Sequence, residues 1–183
     1  MTNRNIIINQ ALLLIGEEMI ASEDDGSKNS DIASELIDLC IETALSEHDW
    51  LFARVRVTIS AVNTAPPFGY KNRFLLPTNY NHIVVEEDDE YEYREEGGYI
   101  LTDKEELELL YVSNITNLNL FPPKFTDAVV TLLASKIAYA ITGTPGLGGS
   151  LEQLYEKRIY KAKMCNSNSI GIAPDDDSWI EER

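Results

Sequence analysis

The chain has 183 residues, 44% of them apolar and 25% charged, with a formal net charge of −16. That composition belongs to a globular protein, with room for one domain carrying an inserted sub-domain, and it excludes a disordered or fibrous chain. A protein this acidic does not grip nucleic acid over its whole surface, because phosphate is repelled.

Residues 5–15 read as a first helix, with Ile8, Ala11, Leu12 and Ile15 on one stripe and Gly16 as its stop. The apolar run here is broken by Asn9 and Gln10, so no leader peptide is expected. The polar loop over 22–29, Ser-Glu-Asp-Asp-Gly-Ser-Lys-Asn, has the acids and glycine of a calcium loop but lacks its closing glutamate. Asn29 or Ser30 is the expected cap of a second helix that runs to about Glu47. Its apolar face carries Ala33, Leu36, Ile37, Cys40 and Ala44.

The period then changes. Val55, Val57 and Ile59 alternate with Arg54, Arg56 and Thr58, the pattern of a strand with one buried face. Trp50 and Phe52 sit at the joint, where two large rings can lock a helix to a sheet. A turn region follows at 63–70, and then strand segments at 74–77 and 83–85. Tyr91 and Tyr93 alternate with Glu90 and Glu92, so the acidic block is also read as strand, turned by Gly97 and Gly98. Strands at 99–101 and 106–112 complete the β part; in the last, Leu107, Leu109 and Tyr111 face one way and Glu106 and Glu108 the other. Short, closely connected, amphipathic strands favour an antiparallel sheet or small sandwich.

Pro122 and Pro123 open a third helix with a stripe of Phe125, Val129, Leu132, Leu133, Ile137, Ala140 and Ile141, stopped at Gly143. Residues 144–149 read as a flexible connection, Ser150 as the cap of a fourth helix to about Met164, and Lys157, Arg158, Lys161 and Lys163 as its basic end. Beyond Asn166 the pattern is lost, and an acidic tail carries Trp179 and Ile180, side chains better suited to docking on another chain than to solvent. The expected fold is α+β, mainly α: a four-helix bundle from 1–49 and 121–166, an inserted antiparallel β sub-domain at 50–120, and an extended C-terminal tail at 167–183.

Charge is segregated along the chain. Residues 1–50 carry −9, 51–85 carry +4 with no acid, 86–108 carry −10, 109–173 carry +3 and the last ten carry −4. The cations of the second block are Arg54, Arg56, Lys71 and Arg73, and the densest acids are Glu86, Glu87, Asp88, Asp89, Glu90 and Glu92. No catalytic, cofactor or metal site is expected. His48 and Asp49 form a pair seen in metal phosphohydrolases, but His82 is the only other histidine. The glycine-rich 143–149 follows a helix and lacks the lysine of a phosphate loop. Cys40 and Cys165 form no metal-binding spacing, and Cys40 lies on the apolar face of its helix, which suits a reducing cytoplasm.

Five stretches carry a resemblance. Asn9-Gln10-Ala11-Leu12 with Ile15-Gly16, Glu47-His48-Asp49-Trp50-Leu51-Phe52-Ala53-Arg54, Leu76-Pro77-Thr78-Asn79-Tyr80, Thr102-Asp103 with Glu108-Leu109-Leu110-Tyr111-Val112, and Phe125 to Ala138 occur in that order. Together they resemble the head-to-tail adaptors of short-tailed bacteriophages, the family of tail tubular protein A, tail accessory factors and head-completion proteins. The resemblance implies a structural virion protein and not an enzyme. It implies a connector ring, commonly a dodecamer, under the portal protein at the head-tail interface, made in the bacterial host cytoplasm and without membrane contact.

Such a ring extends the DNA channel for ejection and gives a platform to the tail or nozzle proteins. By the same resemblance the C-terminal segment reaches the portal, which makes Trp179 and Ile180 the candidate contacts. The acidic 86–108 block would line the lumen, where it repels passing DNA, or face a basic neighbour. Arg54, Arg56, Lys71 and Arg73 would meet an acidic block of the next subunit. The alternatives are a virion-associated cell-wall-degrading enzyme using paired carboxylates and an acidic bacterial adaptor with no phage role.

Overall fold

The computed structural model describes residues 3–84 and 92–167. Among the described residues the fold is α+β, with four α-helices and six strands in two small antiparallel sheets. The order is α1 (Arg4–Leu14), α2 (Lys28–Ser46), β1 (Arg54–Ser60), β2 (Asn72–Leu75), β3 (Tyr80–Ile83), β4 (Tyr93–Glu96), β5 (Tyr99–Thr102), β6 (Glu106–Ser113), α3 (Pro123–Thr142) and α4 (Leu147–Ser167).

α3 is the hub of the helices. It packs against α1, α2 and most extensively α4, while α1 and α2 touch one another much less. Its sequence explains the role: Phe125, Ala128, Val129, Leu132, Leu133, Ile137 and Ala138 are buried, and so are Val130, Thr131 and Ala134 on the flanks. That makes it the one described helix long and apolar enough to cross a membrane, with 61% of its apolar window buried inside the protein. Pro122 caps its start, and Gly143 ends it at φ +66, a conformation glycine adopts without a Cβ clash. Ala140, expected on the stripe, is exposed, while Ile141 packs against the core and the Lys28 ammonium donates to the Ala140 carbonyl.

Sheet one has the order β1-β6-β3 and sheet two β2-β5-β4. β6 is the last described strand in sequence but the central strand of sheet one. Leu107, Leu109 and Tyr111 meet Phe74 and Ile100 in a core between the sheets, while Leu110 and Val112 turn the other way into the helical core. Both faces of the second half of β6 are therefore buried, and only Glu106 and Glu108 keep the expected wet face. Gly97 and Gly98, at φ +58 and +82, make the two-residue turn that sets Glu96 opposite Tyr99.

Several boundaries differ from the sequence reading. α2 is capped by Ser27, whose hydroxyl accepts from Ser30 N at 3.1 Å. Ser30 is fully buried and its hydroxyl donates to the Ser22 and Glu23 carbonyls, so it secures the preceding loop instead. In that loop Asp25 accepts from Ala21 N and Ser27 N, a local turn that holds its carboxyl below the usual range through the Ser27 contacts first. β3 begins at Tyr80, directly after the Pro77 turn, where Tyr80 N donates to Pro77 O at 3.0 Å. The strand expected over Tyr91 and Tyr93 starts at Tyr93; Tyr91 lies outside the described residues.

α4 begins at Leu147, before Ser150, so Gly148 and Gly149 of the expected connection belong to the helix, while Gly146 precedes it at φ +82. Gly148 brings the start of α4 against α3: a Cβ there would lie 3.0 Å from the Ser135 carbonyl. Ser150 is not a cap but bonds back to Gly146 O at 3.2 Å.

Candidate functional site

The corner between α2 and β1 collects residues from four parts of the chain. Trp50 is 1% exposed, and its indole N–H donates to Ala44 O at 2.9 Å, which folds the ring back under the last turn of α2. One turn of 3-10 helix, Leu51–Ala53, then reverses the chain into β1. Around Trp50 sit Phe125 at a centroid distance of 4.9 Å, Phe52 at 5.8 Å and His48 at 5.1 Å, and Phe121 joins through Phe125 at 4.8 Å. Buried rings contribute about 1.5–3 kcal/mol each by area, and edge-on pairs add about 0.5–1.5 kcal/mol. Burial holds the His48 imidazole below its ordinary pKa, against the opposing pull of Asp49.

The end of α4 is clamped onto this corner. Asn166 accepts from Leu51 N at 2.9 Å and donates to Asp49 O at 3.2 Å. One turn earlier, Lys163 Nζ lies 2.9 Å from Glu47 Oε2. Between the corner, the start of α3 and the end of α4 is an apolar groove of about 380 Å³. Trp50, Phe52 and Phe125 line it with Pro122, Ala162 and Cys165. Lys124 reaches across, its Nζ 2.8 Å from Cys165 Sγ. No local sequence signal marks this groove, since its walls come from three separate stretches of the chain, 50–52, 122–125 and 162–166.

On the other side of the corner, His82 of β3 faces Asp49 at 2.9 Å. The two histidines and Asp49 thus gather near the corner, yet among the described residues no three metal-type ligands group to hold an ion.

The four cations singled out from the sequence do not share one face. Arg54 and Arg56 alternate with Val55 and Val57, which point into the core between the sheets, so both arginines lie on the opposite side of sheet one. Arg73 is next to the buried Phe74 and projects from the outer face of sheet two, with its guanidinium 4.8 Å above the Tyr99 ring. The exposed Lys71 donates its backbone N–H to Asp103 just before β2. The Nε atoms of Arg54 and Arg73 are buried without a hydrogen-bond partner.

Of the acidic block, Glu92 is exposed and its carbonyl accepts from Thr102 Oγ1 at 3.0 Å. Glu86, Glu87, Asp88, Asp89 and Glu90 lie outside the described residues, as do Trp179 and Ile180. Compared with protein-family models and with curated proteins, the chain matches none of either.

Proposed function

We propose that this chain is a structural virion protein, a head-to-tail adaptor that forms a connector ring below the portal and extends the DNA channel. The reading rests on the five resembling stretches, in order along the chain, and on its segregated charge. The observation that carries it is the clamped end of α4. Asn166 and Lys163 hold that end on the corner, so the acidic segment bearing Trp179 and Ile180 leaves a fixed point of the fold. A chain whose task is to engage a neighbour through its terminus needs such an anchorage, since a fixed root lowers the ordering cost of binding.

In the same reading the four helices act as one bundle, the β part is an insertion, and 167–183 is an extended arm. Twelve copies of a chain of charge −16 give a channel past which phosphate slides. The cations divide accordingly: the Arg54 and Arg56 side and the Arg73 side would meet different neighbours in a head-to-tail ring.

The test is mass by light scattering, for the protein alone and with a candidate portal protein, with and without 175–183. The expected result is a ring that forms on the portal and fails without the tail. A protein that ignores the portal in every form would overturn the reading.

A further inference from the structure

We propose that the groove at the corner is the docking site of the chain's own C-terminal anchor, Trp179 and Ile180, in the unassembled protein. The groove is open and apolar, with a volume of about 380 Å³, enough for one large ring and an aliphatic neighbour and within the ~300–1,000 Å³ range of ligand pockets. Trp50 and Phe125 are already buried beneath it, so an occupant would cover the partly exposed Phe52 and the exposed Pro122 and Pro123.

Three observations select the occupant. The first is reach: Asn166 lines the groove, and the chain leaves α4 at Ser167. The twelve steps from Ser167 to Trp179 span up to ~40 Å when extended, and Gly171 and Pro174 lie between them to turn the chain back. The second is chemistry: Trp179 and Ile180 are the only large apolar residues in the last ten.

The third is charge. Asp175, Asp176, Asp177, Glu181 and Glu182 flank the anchor. Lys124 stands at the mouth of the groove, and Lys161 lies one helical turn before Cys165. Lys157 and Lys161 are exposed and make no ion pair among the described residues. The acids that could compete nearby are engaged, Asp127 by Arg158 and Glu47 by Lys163. The tail thus offers an apolar anchor between two acidic clusters to an apolar groove with a basic rim.

The inference stands without a portal: it concerns the free chain, and a portal would be a competitor for the same anchor. Cys165 reports on the groove directly. Cys40 is 2% exposed and stays silent to a maleimide while the fold is intact, so the native labelling rate reads Cys165 and the silence of Cys40 certifies folding.

The experiment compares the full chain with its W179A/I180A variant. The expected result is at least fivefold faster labelling of Cys165 in the variant, with protection in the parent unchanged on tenfold dilution. Equal rates would overturn the proposal. So would protection that is lost on dilution, which assigns the groove to a second copy's tail, or protection abolished by I170A/I172A and retained in W179A/I180A. Failure to bind portal alongside intact protection would remove the adaptor reading and leave this one standing.

Discussion

Asp49 Oδ1 lies 2.9 Å from His82 Nε2, across 33 residues of chain. The other ring nitrogen, Nδ1, is 2.9 Å from Asn81 Oδ1, and the Asn81 amide nitrogen donates to Asn114 Oδ1 at 2.7 Å, which sets the amide so that its oxygen meets the ring. The contact fastens β3 to the corner that precedes β1. Both partners are partly exposed, with side chains at 28% and 42%, so solvent screens the pair and its coupling is about 0.5 kcal/mol. A double-mutant cycle with D49N and H82A in urea unfolding checks this. Strict additivity of the two single changes would show that the pair contributes nothing.

Trp50 dominates the same corner. W50A removes a fully buried ring and exposes the contacts of Phe52 and Phe125, at a cost of about 3–5 kcal/mol. W50F keeps most of the packing but leaves the buried Ala44 carbonyl without its indole donor, at about 1–3 kcal/mol. Chemical denaturation should therefore rank parent, W50F and W50A in falling midpoint. Equal midpoints for the two variants would mean that the hydrogen bond, not the packing, holds the ring.

Two adjacent glycines in α4 are predicted to respond with opposite sign. A Cβ at Gly149 meets nothing within 4 Å, so G149A gains helix propensity, about 0.5–1 kcal/mol. A Cβ at Gly148 would press on the Ser135 carbonyl at 3.0 Å, backbone of the central helix. G148A is therefore expected to lower stability by about 1 kcal/mol through overpacking. Thermal melts of both variants decide it, and a rise in Tm for both would show that α4 can step away from α3 freely.

Stability should fall at alkaline pH. Burial pushes the Cys40 thiol up to about 11 from its ordinary 9.0. Between those values the unfolded chain releases this proton and the folded chain keeps it, so the contribution is complete below pH 9 and is lost as pH rises toward 11. Burial also raises the hydroxyls of Tyr80 and Tyr155, which continues the decline above pH 10. Urea midpoints at pH 8, 9 and 10 measure the slope, and C40A should make it shallower. An unchanged slope in C40A would assign the loss to the tyrosines alone.

Much of the local structure was legible. β1 runs over Arg54–Ser60, where Arg and Thr alternate with Val and Ile, and the paired glycines after Glu96 marked their hairpin. The helix caps were less legible. Ser27, Asn29 and Ser30 are all good capping residues, and the choice among them depends on Ser30 being drawn into the buried loop contact with Ser22 and Glu23. The start of α4 was misread because glycine is a helix breaker by propensity, and only the approach of α3 shows why Gly148 is tolerated there.

By itself the sequence determined the order of the elements, two helices, a β segment and two helices, because the 3.6 and 2 residue periods are written locally. It also determined the importance of the stretch around Trp50, where one period changes to the other. The partition into β1-β6-β3 and β2-β5-β4, the two-faced burial of β6, the separation of Arg54 and Arg56 from Arg73, and the groove beside Trp50 were decided by the tertiary structure. Each joins segments distant along the chain, and a periodicity says which face of an element is apolar but not which distant apolar face will cover it.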